Sequence, residues 1–167
     1  MASTALIREA EIKDLPIIHD FIIKLARYEN LENEVVASHE ILQENLFGSV
    51  ARAHVLILEE KQNNNDNQNK AIGFAIYFYT FSTFVGRPGI YIEDLYVDEP
   101  HRRKGYGTKL IKHICKIAKE QQCGRVEWSC LKHNYPALNF YNSIGAKELS
   151  AWTGLRLTEK AISDLSF

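Results

Sequence analysis

A short basic turn containing two glycines is the part of the sequence best suited to bind an anion. It consists of Arg102, Arg103, Lys104, Gly105, Tyr106 and Gly107. Glycine lets a backbone approach an anion closely, and the amides and dipole at the start of a following helix add partial positive charge. Residues 101–119 contain seven lysine and arginine residues and no carboxylate. The turn is therefore predicted to bind phosphate groups.

The spacing within this turn excludes two common phosphate-binding loops. A nucleoside-triphosphate loop requires GxxxxGK[ST], which is absent, and the dinucleotide pattern GxGxxG fails because Leu110 occupies the third glycine position. The turn matches [RQ]xxGx[GA] instead, from Arg102 to Gly107. Taken alone, so short a pattern favours a solvated basic turn.

Two adjacent carboxylates, Glu93 and Asp94, lie in the otherwise apolar segment IEDLYV, although strands disfavour charge at such positions. A carboxylate in such a position can attract a cation and accept a proton, directly or through water. Glu93 is therefore a candidate general base, and a partly exposed structural position is the alternative.

Strand-like and helix-like segments alternate in an order that predicts an α/β domain around one mixed sheet. The predicted strands are residues 6–8, 54–59, 71–81, 90–97 and 125–130, with one or two more at 147–149 and 152–157. Predicted helices begin at or near Pro16, Ser38, Gly107, Pro136 and Thr158. The polar stretch at residues 60–70 is predicted to be a surface loop.

Length and composition favour one domain spanning residues 1–167 and argue against several functional classes. No apolar run is long enough for a membrane span, and the first residues lack a signal-peptide pattern, so a cytoplasmic location is expected. The scattered histidines and the three cysteines match no metal-site spacing, so no metal is expected. The net charge of −1 and the scarcity of aromatic residues on the basic helix argue against nucleic-acid binding.

The segments around the turn carry a family resemblance. IEDLYV before it and NYPALNFYNSIGA after it resemble the GCN5-related N-acetyltransferase (GNAT) superfamily. LARYENLENEV, IGFAIYFYTFSTFVG and LSAWTGLRLT are similar to its diamine and polyamine N-acetyltransferases. The resemblance runs from Leu6 to about Leu157. It implies acetyl-CoA as co-substrate, a small primary amine as acceptor, a homodimer, and a mostly antiparallel sheet of six to seven strands, flanked by helices and splayed at the acetyl-CoA site.

The resemblance also implies a role for individual positions. The backbone of three strand residues would bind the pantetheine arm: Leu95, Tyr96 and Val97. The backbone amides of the turn and of the helix start would bind the pyrophosphate, and these belong to Arg103, Lys104, Gly105, Tyr106, Gly107 and Thr108. Arg102 would add cationic support to this pocket. A second group would hold the arm from the other side: Asn134, Pro136 and Ala137. Tyr141 would lie near the thioester sulfur, although alone it is an ordinary helix-face aromatic. The substrate side would comprise Tyr28, Glu29, Glu93 and Asp94, to which we add Glu127, Trp128 and Ser129 from the strand beside the site.

The acceptor amine is the least determined part of this hypothesis. Thr153 stands where the polyamine-acetylating relatives have a substrate-side carboxylate, so one anchor for a distal ammonium ion is missing. Short amines such as thialysine, ornithine or a short diamine therefore become credible. Direct attack on the thioester needs no enzyme nucleophile, which leaves Cys130 outside the chemistry. The alternatives are an acetyltransferase for a protein or peptide amine and a coenzyme A-binding regulator without turnover.

Overall fold

The computed structural model describes residues 5–61 and 69–166. The chain divides into two compact units, Met1–Ser129 and Cys130–Phe167. The first unit contains a five-stranded sheet, and the second contains two helices. None of the helices in the described ranges is long and apolar enough to cross a bilayer.

The sheet of the first unit has the strand order β1-β2-β3-β4-β5. Its strands are β1 (Ala5–Glu9), β2 (His54–Lys61), β3 (Asn69–Ser82), β4 (Arg87–Val97) and β5 (Val126–Trp128). The first four pair antiparallel, whereas β5 runs parallel to β4. A parallel neighbour requires a crossover connection, and a helix between β4 and β5 supplies it. The predicted α/β class with a mixed, mostly antiparallel sheet is confirmed.

The described residues of the two units also form five α-helices. They are α1 (Leu15–Glu29), α2 (His39–Phe47), α3 (Tyr106–Glu120), α4 (Tyr135–Ser143) and α5 (Glu159–Leu165). Pro16 lies in the first turn of α1, where a missing backbone N–H costs nothing. The Ser38 hydroxyl accepts a hydrogen bond from the amide of Ile41 at 3.3 Å and so caps α2. Both helix starts agree with the sequence-based prediction.

The core holds α1 against the sheet. Ile18 and Phe21 of α1 are fully buried in a cluster with Phe74 and Tyr96, and the Phe21 and Tyr96 ring centroids are 5.7 Å apart. Burial of each large apolar side chain contributes about 1.5–3 kcal/mol. This packing places α1 against the face of β4 that carries Tyr96. The predicted substrate-side residues of α1, Tyr28 and Glu29, lie at the C-terminal end of the helix.

The close pairing of β3 and β4 depends on one glycine. A β-carbon added at Gly73 would lie 2.5 Å from the carbonyl oxygen of Tyr96, which is too close for any side chain. Gly73 pairs with Val97 in the register of the two strands. Gly73 therefore allows β3 to support the end of β4 that leads into the basic turn.

Two predictions about strands were wrong. The tail segments 147–149 and 152–157 form no strand in the described residues, so the sheet has five strands rather than six or seven. Alternating apolar residues favour a strand only where a neighbour is available to pair. The predicted loop at residues 60–70 is also too long, because Glu60 pairs with Lys70 and Lys61 with Asn69 in the β2–β3 ladder. The rest of that loop, residues 62–68, lies outside the described residues.

Candidate active site

A β-bulge in β4 sets the direction of the acidic pair. Tyr77 pairs with Ile92 and Ile76 pairs with Asp94, so Glu93 is an extra residue between two ladder positions. A bulge bends its strand and redirects the side chains that follow. Asp94 consequently shares a strand face with Tyr96, two residues later, which is the face covered by α1.

The parallel ladder between β4 and β5 stops at the same point. Its pairs are Ile90 with Val126, Tyr91 with Glu127 and Ile92 with Trp128. Within the described strands, β4 continues through residues 93–97 without a β5 partner. This end of the ladder agrees with the predicted splay of the strands. Because the other edge of β4 pairs with β3, the edge toward β5 has backbone groups that can bind an extended ligand.

Asp94 is a half-buried carboxylate in an acidic neighbourhood. Burial, followed by the negative charges of Glu93 and Glu29, raises the pKa of Asp94 to about 6. Glu29 is the last residue of α1, and Glu93 is exposed at the bulge. The fold therefore brings three of the predicted substrate-side carboxylates together. Such a cluster attracts a cation and contains a group able to take up a proton near neutral pH.

Arg102 links the basic turn to this acidic side. Its guanidinium carbon lies 4.5 Å from the centre of the Tyr28 ring and 5.5 Å from that of Tyr96. Its Nε donates a hydrogen bond to the Val97 carbonyl at 3.0 Å. These contacts direct the charge of Arg102 toward α1 and β4. In the predicted coenzyme A pocket, Arg102 would therefore support the ligand indirectly, by holding the turn in position against α1 and β4.

A second polar cluster lies at the C-terminal end of β4. The Asp98 carboxylate accepts hydrogen bonds from the Tyr96 hydroxyl and from Lys24 Nζ, each at 3.3 Å. Burial and the nearby Asp98 raise the pKa of Tyr96. Tyr96 is protonated at neutral pH, and its side chain packs in a fixed position between β4 and α1.

The conformation of the basic turn leaves space beside Gly105. Arg103 has a φ of 61° and Gly105 a φ of 82°, and nothing lies within 4 Å of a β-carbon placed on Gly105. The amide of Lys109 donates to the Gly105 carbonyl at 3.0 Å, which begins the hydrogen-bond ladder of α3. Earlier amides in a helix have no carbonyl one turn behind them and point out of its N-terminus. Open space, outward amides and the exposed side chains of Arg103 and Lys104 fit an anionic ligand.

Glu60 is a residue near this turn that sequence reasoning missed. The Tyr106 hydroxyl donates a hydrogen bond to Glu60 Oε1 at 2.6 Å. No local pattern reveals this contact, because the two residues are separated by 46 positions and meet only when β2 enters the sheet. The only hint in the sequence is a second carboxylate following Glu59 at the end of an apolar strand.

The predicted substrate-side residues Glu127 and Trp128 lie in β5, and Ser129 directly follows it. Glu127 Oε2 forms an ion pair with Arg125 Nε at 2.7 Å. The Ser129 hydroxyl lies 2.6 Å from the Tyr91 hydroxyl. Trp128 is half-buried at the end of the β4–β5 ladder. Of the three, Glu127 has its charge already balanced by Arg125, so it is the least suited to bind a cationic substrate.

The remaining predicted residues lie in the second unit. Asn134 Oδ1 accepts a hydrogen bond from the amide of Ala137 at 3.3 Å, and Pro136 occupies the first turn of α4. Asn134 is therefore the N-cap of α4. Tyr141 is half-buried on the same helix, with its ring centroid 5.2 Å from that of Phe140. The predicted start of this helix is thus confirmed.

The cysteines and other potential metal ligands are dispersed. Cys115, Cys123 and Cys130 form no disulfide within the described residues, and Cys130 Sγ donates a hydrogen bond to the Leu131 carbonyl at 3.6 Å. In residues 5–61 and 69–166, no three His, Cys, Asp or Glu side chains form a group that could hold a metal ion.

Comparison with known proteins supplies the family. A profile of the Acetyltransferase (GNAT) family matches residues 23–146. Thialysine N-epsilon-acetyltransferase of Mus musculus is 34% identical over 170 residues, covering 99% of each chain. L-ornithine N5-acetyltransferase NATA1 of Arabidopsis thaliana is 29% identical over 93% of this chain and 85% of its own. An integron cassette protein of V. cholerae has a similar structure, with a TM-score of 0.76 and 26% identity over 99% of this chain and 98% of its own. A match over most of the length, which includes the basic glycine-containing turn and the acidic pair, therefore establishes that the chain belongs to the acetyltransferase (GNAT) family and is an N-acetyltransferase.

Proposed function

We propose that this enzyme transfers the acetyl group of acetyl-CoA to a primary amine of a short basic molecule, such as thialysine, ornithine or a short diamine. The observation that carries this proposal is Asp94, a carboxylate with a pKa of about 6 beside Glu93 and Glu29. Relatives that cover nearly the whole chain are named for acetylation of thialysine and ornithine, which supports the same substrate class.

Acetyl-CoA would bind across two features of the first unit. The amides that begin α3, with Arg103 and Lys104, would hold its diphosphate. The β4 backbone at Leu95, Tyr96 and Val97, beyond the end of the β5 ladder, would hydrogen-bond the pantetheine arm. The capped start of α4, at Asn134, Pro136 and Ala137, would also bind the arm, as the family resemblance implies.

The acidic pair would bind the amine and remove its proton. Transfer from an ammonium group of pKa about 10.4 to an ordinary aspartate of pKa about 3.9 is uphill by about 9 kcal/mol, at 1.36 kcal/mol per unit. Asp94, with a pKa of about 6, lowers this difference by about 3 kcal/mol. We therefore infer that Asp94 takes the proton of the ammonium group before attack, directly or through water, while Glu93 attracts the cation at the bulge. The earlier assignment of Glu93 as the base is the competing form of this proposal.

The reaction exchanges one bond for another without an enzyme nucleophile. After the ammonium group has lost one proton, the neutral nitrogen forms a bond to the thioester carbonyl carbon, the carbon–sulfur bond breaks, and the nitrogen loses a second proton. The first proton leaves through the carboxylate or water, and the second balances the charge of the departing thiolate. The departing thiolate, whose thiol has a pKa of about 8.5, would accept a hydrogen bond from Tyr141. Full transfer from a phenol of pKa about 10 is uphill by about 2 kcal/mol, so the hydrogen bond would strengthen as charge develops on sulfur.

The tail supports a preference for short acceptors and for association of two copies. Thr153 offers no charge to a distant ammonium group, which disfavours a long polyamine such as spermidine.

Trp152, Leu155 and Leu157 are respectively 76%, 93% and 58% exposed, and large apolar side chains of this kind commonly become covered on association. The predicted homodimer would provide such a cover. Light scattering of the purified protein at several concentrations tests that assembly.

The test of the proposed function is release of free thiol from acetyl-CoA in the presence of a panel of amines. The panel contains thialysine, ornithine, lysine, putrescine, spermidine, spermine and a lysine-containing peptide. The highest kcat/KM is expected for a short acceptor with two amino groups. Thr153→Asp should raise the relative rate on spermidine, with Thr153→Asn as its uncharged control. Turnover of the peptide alone would instead favour a protein acetyltransferase, and binding of coenzyme A without any turnover would favour a regulator.

A further inference from the structure

We propose that Glu60 is a positioning residue for the coenzyme A-binding turn, because it holds both ends of that turn with one carboxylate. The inference rests on the proposed function, since it concerns the same acetyl-CoA site. Glu60 lies near the end of β2, where it pairs with Ala5 on one side and Lys70 on the other. It is therefore carried by a strand hydrogen-bonded within the sheet.

The two oxygens of Glu60 contact opposite ends of the turn. Oε1 accepts the hydrogen bond from the hydroxyl of Tyr106, the first residue of α3. Oε2 lies 3.4 Å from Nε2 of His101, the last residue of the short 3-10 helix Glu99–His101. Only residues 102–105 separate these two anchors. Tyr106 is 5% exposed and the His101 side chain 14% exposed, whereas the Glu60 side chain is 30% exposed, so both contacts are partly shielded from solvent.

The turn needs support of this kind because its conformation is costly. Arg103 occupies the left-handed region, with a φ of 61°, which an arginine rarely adopts. Three consecutive cationic side chains, at residues 102–104, also repel one another until an anion binds. A carboxylate that ties Tyr106 to His101 keeps the amides at the start of α3 directed outward before the ligand arrives. Such preorganisation lowers the cost of binding.

The neighbouring carboxylate of the same strand has a different function. Glu59 accepts hydrogen bonds from Arg8 Nε at 2.8 Å and from Asn69 Nδ2 at 3.0 Å. Consecutive strand residues point to opposite faces, which separates the two carboxylates. Glu59 therefore belongs to the packing of β1 and β3, and Glu60 to the turn.

The experiment measures coenzyme A binding by calorimetry for the full-length parent, Glu60→Gln, Tyr106→Phe and the double variant. Glu60→Gln keeps the shape of the side chain but loses its charge toward His101, and Tyr106→Phe removes the hydroxyl. Each single variant is expected to weaken binding by about tenfold. The double variant should be little weaker than either single one, because both substitutions break the same link. Glu120→Gln, at an exposed position of α3, is the matched control and should bind as the parent does.

Kinetics separate positioning from general loss of structure. For Glu60→Gln, KM for acetyl-CoA should rise by about tenfold while kcat and KM for the amine stay within about twofold of the parent. Equal coenzyme A binding by parent and Glu60→Gln would overturn the role of Glu60 alone. A parent that binds no coenzyme A would overturn the proposed function as well. If Glu60→Gln fails to fold, Tyr106→Phe decides, and unchanged binding in that variant contradicts the proposal.

Discussion

Arg102 places its guanidinium carbon 4.5 Å from the centre of the Tyr28 ring, so the basic turn contacts the C-terminal end of α1. A cation over an aromatic face is attracted by about 0.5–2 kcal/mol, depending on its exposure. Tyr28 precedes Glu29, whose charge helps to raise the pKa of Asp94. One side chain of the turn thereby connects the predicted site of the acyl donor with that of the acceptor.

This contact predicts different kinetic effects for neighbouring arginines. Arg102→Gln should raise KM for the amine by about three- to tenfold as well as KM for acetyl-CoA, because Tyr28 loses its cationic partner. Arg103→Gln should raise KM for acetyl-CoA only, because Arg103 is exposed on the turn. Steady-state kinetics with each substrate varied in turn provide the measurement. Equal effects of the two substitutions on the amine KM would contradict the connection.

The pH dependence of kcat/KM should identify the proton acceptor. A base of pKa about 6 is ionised above that pH, so the parent should show an acid limb near pH 6. Asp94→Asn should remove this limb and lower the rate at every pH.

Glu93→Gln distinguishes the two forms of the proposal. The negative charge of Glu93 raises the pKa of Asp94, so its removal should move the acid limb to lower pH while the limb persists. Loss of the limb in Glu93→Gln, with its retention in Asp94→Asn, would make Glu93 the base.

Tyr141→Phe should reduce kcat by about 10- to 100-fold, because the leaving thiolate loses a hydrogen-bond donor that acts mainly in the transition state. KM for acetyl-CoA should change little. Tyr135→Phe is the matched control, since Tyr135 lies on the same helix with 68% of its surface exposed. Rapid thiol-release assays at saturating amine provide the measurement, and equal turnover of the Tyr141 variant and the parent would remove Tyr141 from the chemistry.

Asp14 should contribute stability that disappears in acid. The hydrogen bonds from Arg8, at 2.6 and 2.8 Å, and from the amide of Glu11, at 2.7 Å, lower the pKa of this carboxyl. Because the pKa is lower in the folded state than in the unfolded one, the stabilisation is complete above an unfolded pKa of about 3.9. It is lost as pH falls through the folded value.

Asp14→Asn should therefore lower the free energy of unfolding by about 2–3 kcal/mol at pH 7, with a smaller difference from the parent below about pH 4. Urea unfolding at pH 7 and at a pH below about 4 provides the measurement. Asp20→Asn, which affects a more exposed pair with Lys24 in α1, should cost about 0.5 kcal/mol or less. A loss in Asp14→Asn that is equal at both pH values would argue against the ion pair as its cause.

Local patterns predicted the elements, whereas contacts between distant segments required the structure. Glycine and helical periodicity were sufficient to place the turn before α3, since both act over a few residues. The bulge at Glu93 depends on how β4 pairs with β3, and the contact of Glu60 with Tyr106 depends on β2 lying in the sheet. Apolar alternation in the tail indicated strands, but in the described residues no neighbouring strand pairs with it. Pairing likewise carried Lys61 and Asn69 into a ladder although both lie in a polar tract.

The early end of the β4–β5 ladder has a consequence for handling the protein. In the described part of the first unit, no β5 residue pairs with the last five residues of β4, 93–97. Their main-chain donors and acceptors on that side resemble those of an edge strand. A pantetheine arm bound there would hydrogen-bond to this edge of β4 and prevent other polypeptides from pairing with it. Stocks kept without coenzyme A should therefore self-associate sooner than stocks kept saturated with it.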